Sequence, residues 1–565
     1  MTAIVVRSRE SRDPLDDFNG LRRRRQGCGN LQQTTMTHLS RTTAIVCLLA
    51  GLAGLGTAQQ HADVQLPAKP QAQPRFSLEE TTYAQTRAAL RAGTVTCHQL
   101  VAGYLDRIRA YDQTTHLNTV VLLNPQAMAD ADRLDRAFRA THTMQPLHCA
   151  VLVIKDNYDT RGLQTTAGSL ALKGFEPATD AFMVKKLRAA GAVLLFKSNM
   201  AEWAFSPVVT ESSIGGLTRN PYDLARVPAG SSGGTAAAVA ANFVLAGLGT
   251  DTGDSIRGPA SHNDLVGIRP TIGLTSRDGI VPLNIMADVG GPLACTVEDA
   301  AALLNVVAGY DPADPVTKLS EGHIHDYTRD LKRDGLRGAR IGVLRRYIDT
   351  TTTDPEIKAL TDKAIADLRA QGATVVDPFD IPNYEALTKH VYCGNFQQDV
   401  NLWFAEHAPN APVHSLHDVV ESGLYLPYIA QELKESLDTT PHPWDTNCKD
   451  TWHDAKKTAL RDALLAAMDA QHLDAILYPT WSNAPRLIGD LKSPDGDNNQ
   501  VLAPMTGLPA ITVPMGFTHG DLPAGLQLLG RAFDEGTLIR LGYAYEQATH
   551  HRTSPKLFPA LPTER

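Results

Sequence analysis

The sequence predicts an α/β fold with parallel strands covered by helices. One observation is a strand–helix–strand succession. CAVLVIKDN (149–157) is a short apolar run ending in polar residues. DAFMVKKLRAAG (180–191) spaces Met183, Leu187 and Gly191 along one side of a helix, and AVLLFKSN (192–199) is a second apolar run. Two short strands separated by a helix pair in parallel, because a parallel pair needs a long crossover. The second observation is bulk composition: 565 residues, 43% hydrophobic and 20% charged, is ordinary globular composition with length for one large domain or two. Lys155 and Lys197 fall at the C-terminal ends of the two runs, where open α/β sheets hold ligands.

The elements follow in order. Residues 1–35 are polar, contain the run Arg22–Arg25, and read as an unstructured leader or a mis-assigned start. Residues 36–58 read as a signal peptide: Arg41 in the n-region, an apolar run from Ala44 to Leu55, then Gly56, Thr57 and Ala58, with cleavage expected after Ala58. That run is too short to span a bilayer comfortably. A periplasmic or secreted protein is therefore expected, with no membrane attachment after cleavage. Residues 59–75 are rich in Gln, Pro and Ala and read as a linker. Structure is expected from residue 76 to 565. Ser77 and Glu80 form a capping-box pattern, and a second helix is expected over Leu100–Tyr111. Alanine-rich Thr235–Gly247 reads as a closely packed helix. Asp354–Gly372 is a helix with Asp354 as cap and Pro355 in its first turn. ATVVDPF (373–379), Leu473–Thr480 and Pro509–Gly516 read as strands, and residues 381–460 as mainly helical.

A net charge of −8 without a basic patch in the folded part argues against nucleic acid as a partner. Beyond Cys28 and Cys47 there are five cysteines, with no CxxC pair to suggest zinc or a redox centre. In an exported protein Cys393 and Cys448 are a candidate disulfide.

Three stretches carry candidate chemistry: VIKDN with Lys155, PAGSSGGT (228–235) with Ser231 and Ser232, and GTDTGDSIRGP (249–259) with Ser255. Serine needs a base, and no histidine stands within six residues before Ser255. A lysine at its free pKa of about 10.4 is protonated, but burial can lower it until the neutral amine takes a proton. Lys155 could then draw a proton from one serine, which takes one from the other. Two other readings compete. Ser232 in GSSGG fits the nucleophile elbow of α/β-hydrolases, but NPYDLARVPAG before it is no apolar strand. The Gly-rich loop before a helix could bind phosphate, but lacks the P-loop lysine.

Together these stretches resemble the amidase signature family of serine hydrolases. Its pattern reads roughly GGSSGG, then GTDxGGSIRxPA; here the chain has AGSSGG and GTDTGDSIRGPA, with Ser255 standing 24 positions after Ser231. TTAGS (165–169), KSNMAEW (197–203), VGIRPTIGLTSRDGIVPL (266–283), GLPAITVPMG (507–516) and GLQLLG (525–530) are similar to family elements in the expected order, and the resemblance covers about 76–550. It implies a single large domain with a central mixed, mainly parallel β-sheet covered by helices on both faces. It implies Ser255 as nucleophile, Ser231 as a bridging serine in a cis peptide, and Lys155 as base and then acid. The backbone N–H groups of Thr252, Gly253, Asp254 and Ser255 would form the oxyanion hole. The implied activity is cleavage of a carboxylic amide through an acyl-enzyme, with no cofactor or metal, acting on a small-molecule or peptide amide as a monomer or homodimer. Ser232, Met200, Asn284 and Asp288 are candidate substrate-binding residues. Arg257 and Asp251 read as loop-holding, and 381–460 as part of the pocket wall. The same family offers a glutaminase subunit of a transamidating complex, or a non-catalytic binding protein, as alternatives.

Three positions depart from the pattern: Asp254 and Ala229 replace glycines, and Cys295 stands where arginine is usual. Aspartate tolerates left-handed backbone, so the turn at Asp254 is expected to survive. Ala229 and Cys295 read as local packing changes.

Overall fold

The computed structural model describes residues 76–437 and 450–562. The expected signal peptide and linker, and Cys448 of the expected Cys393–Cys448 pair, lie outside the described residues. Its strands in chain order are β1 Val120–Leu123, β2 Val151–Lys155, β3 Val193–Ser198, β4 Glu211–Ser212, β5 Gly216–Leu217, β6 Ala246–Asp251, β7 Val266–Arg269, β8 Val289–Ala294, β9 Arg340–Leu344, β10 Thr374–Phe379, β11 Ala475–Pro479, β12 Ala510–Thr518 and β13 Leu522–Leu529. All but the β4–β5 hairpin join one 11-stranded sheet, ordered β1-β3-β2-β6-β8-β7-β12-β13-β11-β9-β10.

The sheet is mixed. Parallel pairing runs through β3-β2-β6 and through β11-β9-β10. The pairs between those blocks, from β6 to β8 across to β13 and β11, are antiparallel, as is β1 on β3. The strand–helix–strand pattern read in the sequence belongs to the first block. The antiparallel middle includes the short-looped β12–β13 hairpin, whose connection needs no crossover helix.

Helices cover both faces, and the period-2 alternation of β2 and β3 shows how. Val151, Val153, Val193 and Leu195 pack in one core with helices Cys97–Tyr111, Ala127–Thr141 and Gly233–Ala240. Leu152, Ile154 and Leu194 pack in the other, with Phe182–Ala189, Val297–Val307, Pro355–Ala370 and Glu535–Thr549. Strands buried on both faces read as unbroken apolar runs, which is why β2 and β3 stood out in the sequence. A further cluster packs Trp403, Phe404 and Leu433 against Trp203 and Phe175, holding the 396–437 helices at one end of the sheet.

Several boundaries differ from expectation. The first helix starts at Tyr83, and its capping box is Thr82 with Gln85 rather than Ser77 with Glu80. Either pair satisfies orphan N–H groups; the observed one places Tyr83 and Leu90 in the cores. The alanine helix spans Gly233–Ala240 only, and residues from Ala246 onward form β6. Its composition masked that strand, whose small residues fit beneath the helix: a Cβ on Gly247 would lie 2.7 Å from Thr235 Cγ2. Asp354 caps Pro355–Ala370 as expected. A Cys97–Cys149 disulfide, Cα–Cα 5.6 Å, ties a surface helix to the start of β2.

Candidate active site

Alternation along β2 places Lys155 on the side of Val151 and Val153, against the start of helix Gly233–Ala240. That helix can sit so low because it is alanine-rich and opens on glycines; a Cβ on Gly234 would fall 2.1 Å from Asn199 O. Ser231 stands two residues before the helix, after a cis Gly230–Ser231 peptide. Lys155 Nζ lies 2.7 Å from Ser231 Oγ and 2.8 Å from Thr250 Oγ1. Thr250 comes from the adjacent parallel strand β6 and also accepts from Asn157 Nδ2 at 3.1 Å. Lys155, Ser231 and Thr250 are buried. Burial brings the Lys155 amine down to about 7, against the opposing pull of Asp288, Asp251 and Asp254.

Beyond β6 the chain turns through Thr252–Ser255 into helix Arg257–His262. Asp251 organises this turn. Its carboxylate accepts from Ile256 N at 3.2 Å, Arg257 Nε at 3.0 Å and Arg269 Nη1 at 2.6 Å. Burial alone would raise its pKa, but the two guanidinium groups hold it well below the usual range. Arg257 also donates to Gly253 O, Asn499 Oδ1 and Gln527 Oε1, so Asp251 and Arg257 hold the loop, as read from the sequence. Committed in this way, the loop leaves its amides available: the N–H groups of Thr252, Gly253, Asp254 and Ser255 have no acceptor among the described residues.

Ser255 opens onto a cavity of about 430 Å³, also lined by Thr252, Gly253 and Asp254. Its hydroxyl donates to Asp254 Oδ1 at 3.4 Å, and no Ser231–Ser255 hydrogen bond is formed among the described residues. Asp254 is buried, its Oδ2 has no hydrogen-bond partner among the described residues, and burial together with Asp497 and Asp251 pushes its carboxyl well above the usual range. Its backbone is not left-handed, so the tolerance invoked from sequence is not what accommodates it. Space at Gly258 is: a Cβ there would meet Asp254 Oδ2 at 2.3 Å and the Trp481 indole at 3.1 Å. Trp481 in turn donates to Gly258 O and stacks on buried His262 with centroids 4.6 Å apart. Ala229, by contrast, does sit in the left-handed region at φ 63°, so the change there is one of backbone rather than packing. Cys295 is buried and free, and burial pushes its thiol up to about 12.

None of the four residues expected to bind substrate lines the cavity. Ser232 Oγ bonds the backbone of Thr250 at 3.2 and 3.3 Å, tying the helix start to β6. Met200 is buried in the packing after β3. Asn284 Nδ2 donates to Cys393 O at 3.0 Å. Asp288 accepts from Leu283 N, Asn284 N and Thr252 Oγ1, and so supports the turn from behind. The cavity wall comes instead from Leu283, Tyr392, Glu432 and the loop residues Asp495, Asp497 and Gln500. Tyr392 and Glu432 do come from the 381–460 region expected to build the wall. The sequence around Asp497 is a polar Gly/Asp/Asn run, which signals turns and not what they face.

Fold and site together define an amide-hydrolysing α/β enzyme. A model of the amidase family matches residues 99–539. The chain is 35% identical to a probable amidase of Arabidopsis thaliana over 85% of this chain and 92% of that one. It is also 35% identical to a subunit of the glutamyl-tRNA(Gln) amidotransferase of Thermosynechococcus vestitus, over 81% and 96% of the two chains. Among solved structures, native peptide amidase from Stenotrophomonas maltophilia superposes with a TM-score of 0.76 at 39% identity, over 85% of this chain and 99% of that one. The chain belongs to the amidase signature family.

Proposed function

We propose that this enzyme is a serine amidohydrolase that cleaves carboxamide C–N bonds through an acyl-enzyme on Ser255, with Ser231 relaying protons to Lys155. The observation that carries this reading is the buried Lys155 amine, 2.7 Å from Ser231 Oγ and brought down to about 7. In its neutral form Lys155 takes the Ser231 proton as Ser231 takes that of Ser255. Ser255 Oγ, turned from Asp254 toward Ser231, attacks the carbonyl carbon. The oxyanion is received by the backbone N–H groups of Thr252–Ser255. The C–N bond breaks as the proton held by Lys155 returns through Ser231 to the leaving nitrogen. Water, deprotonated along the same path, then releases the acid and restores Ser255.

The likeness to peptide amidase favours a peptide C-terminal amide as substrate. The signal-peptide pattern of residues 36–58 supports export, and the Cys97–Cys149 bridge fits an oxidising compartment. The amidotransferase relatives favour a second reading, membership of a transamidating complex, against which export weighs. The test is hydrolysis of a simple peptide amide by wild type and Ser255→Ala, with mass spectrometry of the quenched wild-type reaction. An acyl adduct on the Ser255 peptide and loss of activity in a folded variant are expected. Retained activity would remove Ser255 from the mechanism.

A further inference from the structure

The cavity at Ser255 is charged on one side only. Asp254, Glu432, Asp495 and Asp497 all line it, and among the described residues no lysine or arginine does. Asp495 is matched by Arg486 at 3.3 Å. Among the described residues Asp497 accepts only from neutral donors: Asn499 N, Asn499 Nδ2 and Gln500 Nε2, at 2.9, 2.8 and 2.6 Å. Glu432 and Asp254 have no ion pair among the described residues, and Asp254 leaves a buried carboxyl oxygen unpartnered. The nearby cations are engaged elsewhere. Arg257 and Arg269 grip Asp251, and Lys155 bonds Ser231 and Thr250. An apolar part of the wall comes from Phe205, Pro207, Leu283 and Met505.

A set of carboxyls beside an apolar wall has the shape of a receptor for an aliphatic stem ending in a positive head. We infer that the enzyme selects amides whose acyl part carries a protonated amine or guanidinium on an aliphatic stem, recognised by Glu432 and Asp497. This rests on the amidohydrolase reading above. Burial raises the pKa of Asp497; partial desolvation at the cavity mouth, with Glu435 adding to it, raises that of Glu432, whose side chain stays exposed. A bound cation reverses that cost by stabilising the ionised forms. Asp254, next to the nucleophile, serves best while neutral, because an anion there opposes the oxyanion. An acidic acyl group meets only like charge, which is an element of rejection as well as attraction.

The experiment compares the α-amides of N-acetyl-arginine, N-acetyl-citrulline and N-acetyl-glutamate, the first two differing in charge but hardly in shape. Ammonia release should give a kcat/KM about tenfold or more higher for arginine than for citrulline, with glutamate lowest. In Glu432→Gln and Asp497→Asn, each checked for a native melting transition, the arginine-to-citrulline ratio should fall about threefold or more, through KM. Calorimetric binding of the same amides to Ser255→Ala reads the preference without turnover, so failure of the hydrolytic reading and failure of this inference are separable. Equal affinity and equal kcat/KM for the arginine and citrulline amides would overturn it, as would a ratio unmoved in both variants.

Discussion

The rim of the cavity and the buried floor behind it, none of whose residues lines the cavity itself, are built on different principles. The floor, Lys155, Ser231 and Thr250, is buried, made of residues at strand ends and a helix start, and joined by hydrogen bonds of 2.7 and 2.8 Å. The rim comes from separate loops and helices around Tyr392, Glu432 and Asp497, and the carboxyls of Glu432 and Asp497 lack ionic partners among the described residues. The floor fixes geometry, which acyl transfer requires in the same form whatever the acyl group. The rim meets the variable part of the substrate, and its unmatched charge is available for recognition.

If that division holds, substitutions in the floor should cost turnover, and those in the rim should cost discrimination. The largest effect is expected at the proposed nucleophile and base: Ser255→Ala or Lys155→Met lowers kcat by at least about 10⁴ with a native circular dichroism spectrum. A fall in KM discrimination with turnover preserved would break the distinction. Next comes the loop's anchor. Asp251→Asn leaves Arg257 and Arg269 facing each other in a buried setting and should cost about 3–5 kcal/mol in denaturant unfolding, as loss of one partner of a buried ion pair does.

A smaller effect sharpens the boundary, where Asp254 joins floor to rim. Gly258→Ala places a methyl against Asp254 Oδ2 and Trp481, and should destabilise by about 1–3 kcal/mol. In an Asp254→Gly background the same change should cost clearly less, since only the 3.1 Å contact with Trp481 remains and alanine is the better helix former. A double-mutant cycle in thermal unfolding reads the coupling; additivity would mean that Gly258 does not make room for Asp254. The smallest effect is at Ala229→Gly. The left-handed strain relieved, about 1–2 kcal/mol, is partly offset by the greater freedom of glycine in the unfolded chain, leaving a gain of at most about 1 kcal/mol.

The same division explains what could be read from sequence. Lys155, Ser231 and Ser255 were singled out because the stretches that hold them resemble the amidase signature pattern; the structure joins Lys155 to Ser231 and sets Ser255 on the cavity. Strands β2 and β3 were legible because burial on both faces leaves an unbroken apolar run. Strand β6 was not, because Ala246–Gly249 is as small as the helix before it and composition does not separate them. Asn284 and Asp288 were placed in the pocket through the family resemblance of their stretch, yet both turn to backbone groups instead. Asp497 and Glu432 could not be found, because their role arises from long-range packing that brings a polar loop and a distant helix to one opening. Asp254 was visible as an anomaly; its accommodation by Gly258 needed the three-dimensional arrangement.

The central claim is that a neutral lysine is the base, and its pH dependence tests this most directly. With an uncharged amide, log kcat/KM should rise with unit slope as pH increases to about 7 and level above it, as Lys155 loses its proton. The inflection should stay in place in Glu432→Gln, which removes a rim carboxyl whose pKa is also raised. A profile flat from about pH 5 to 9, or an inflection that disappears with Glu432, would contradict the assignment of Lys155 as the base.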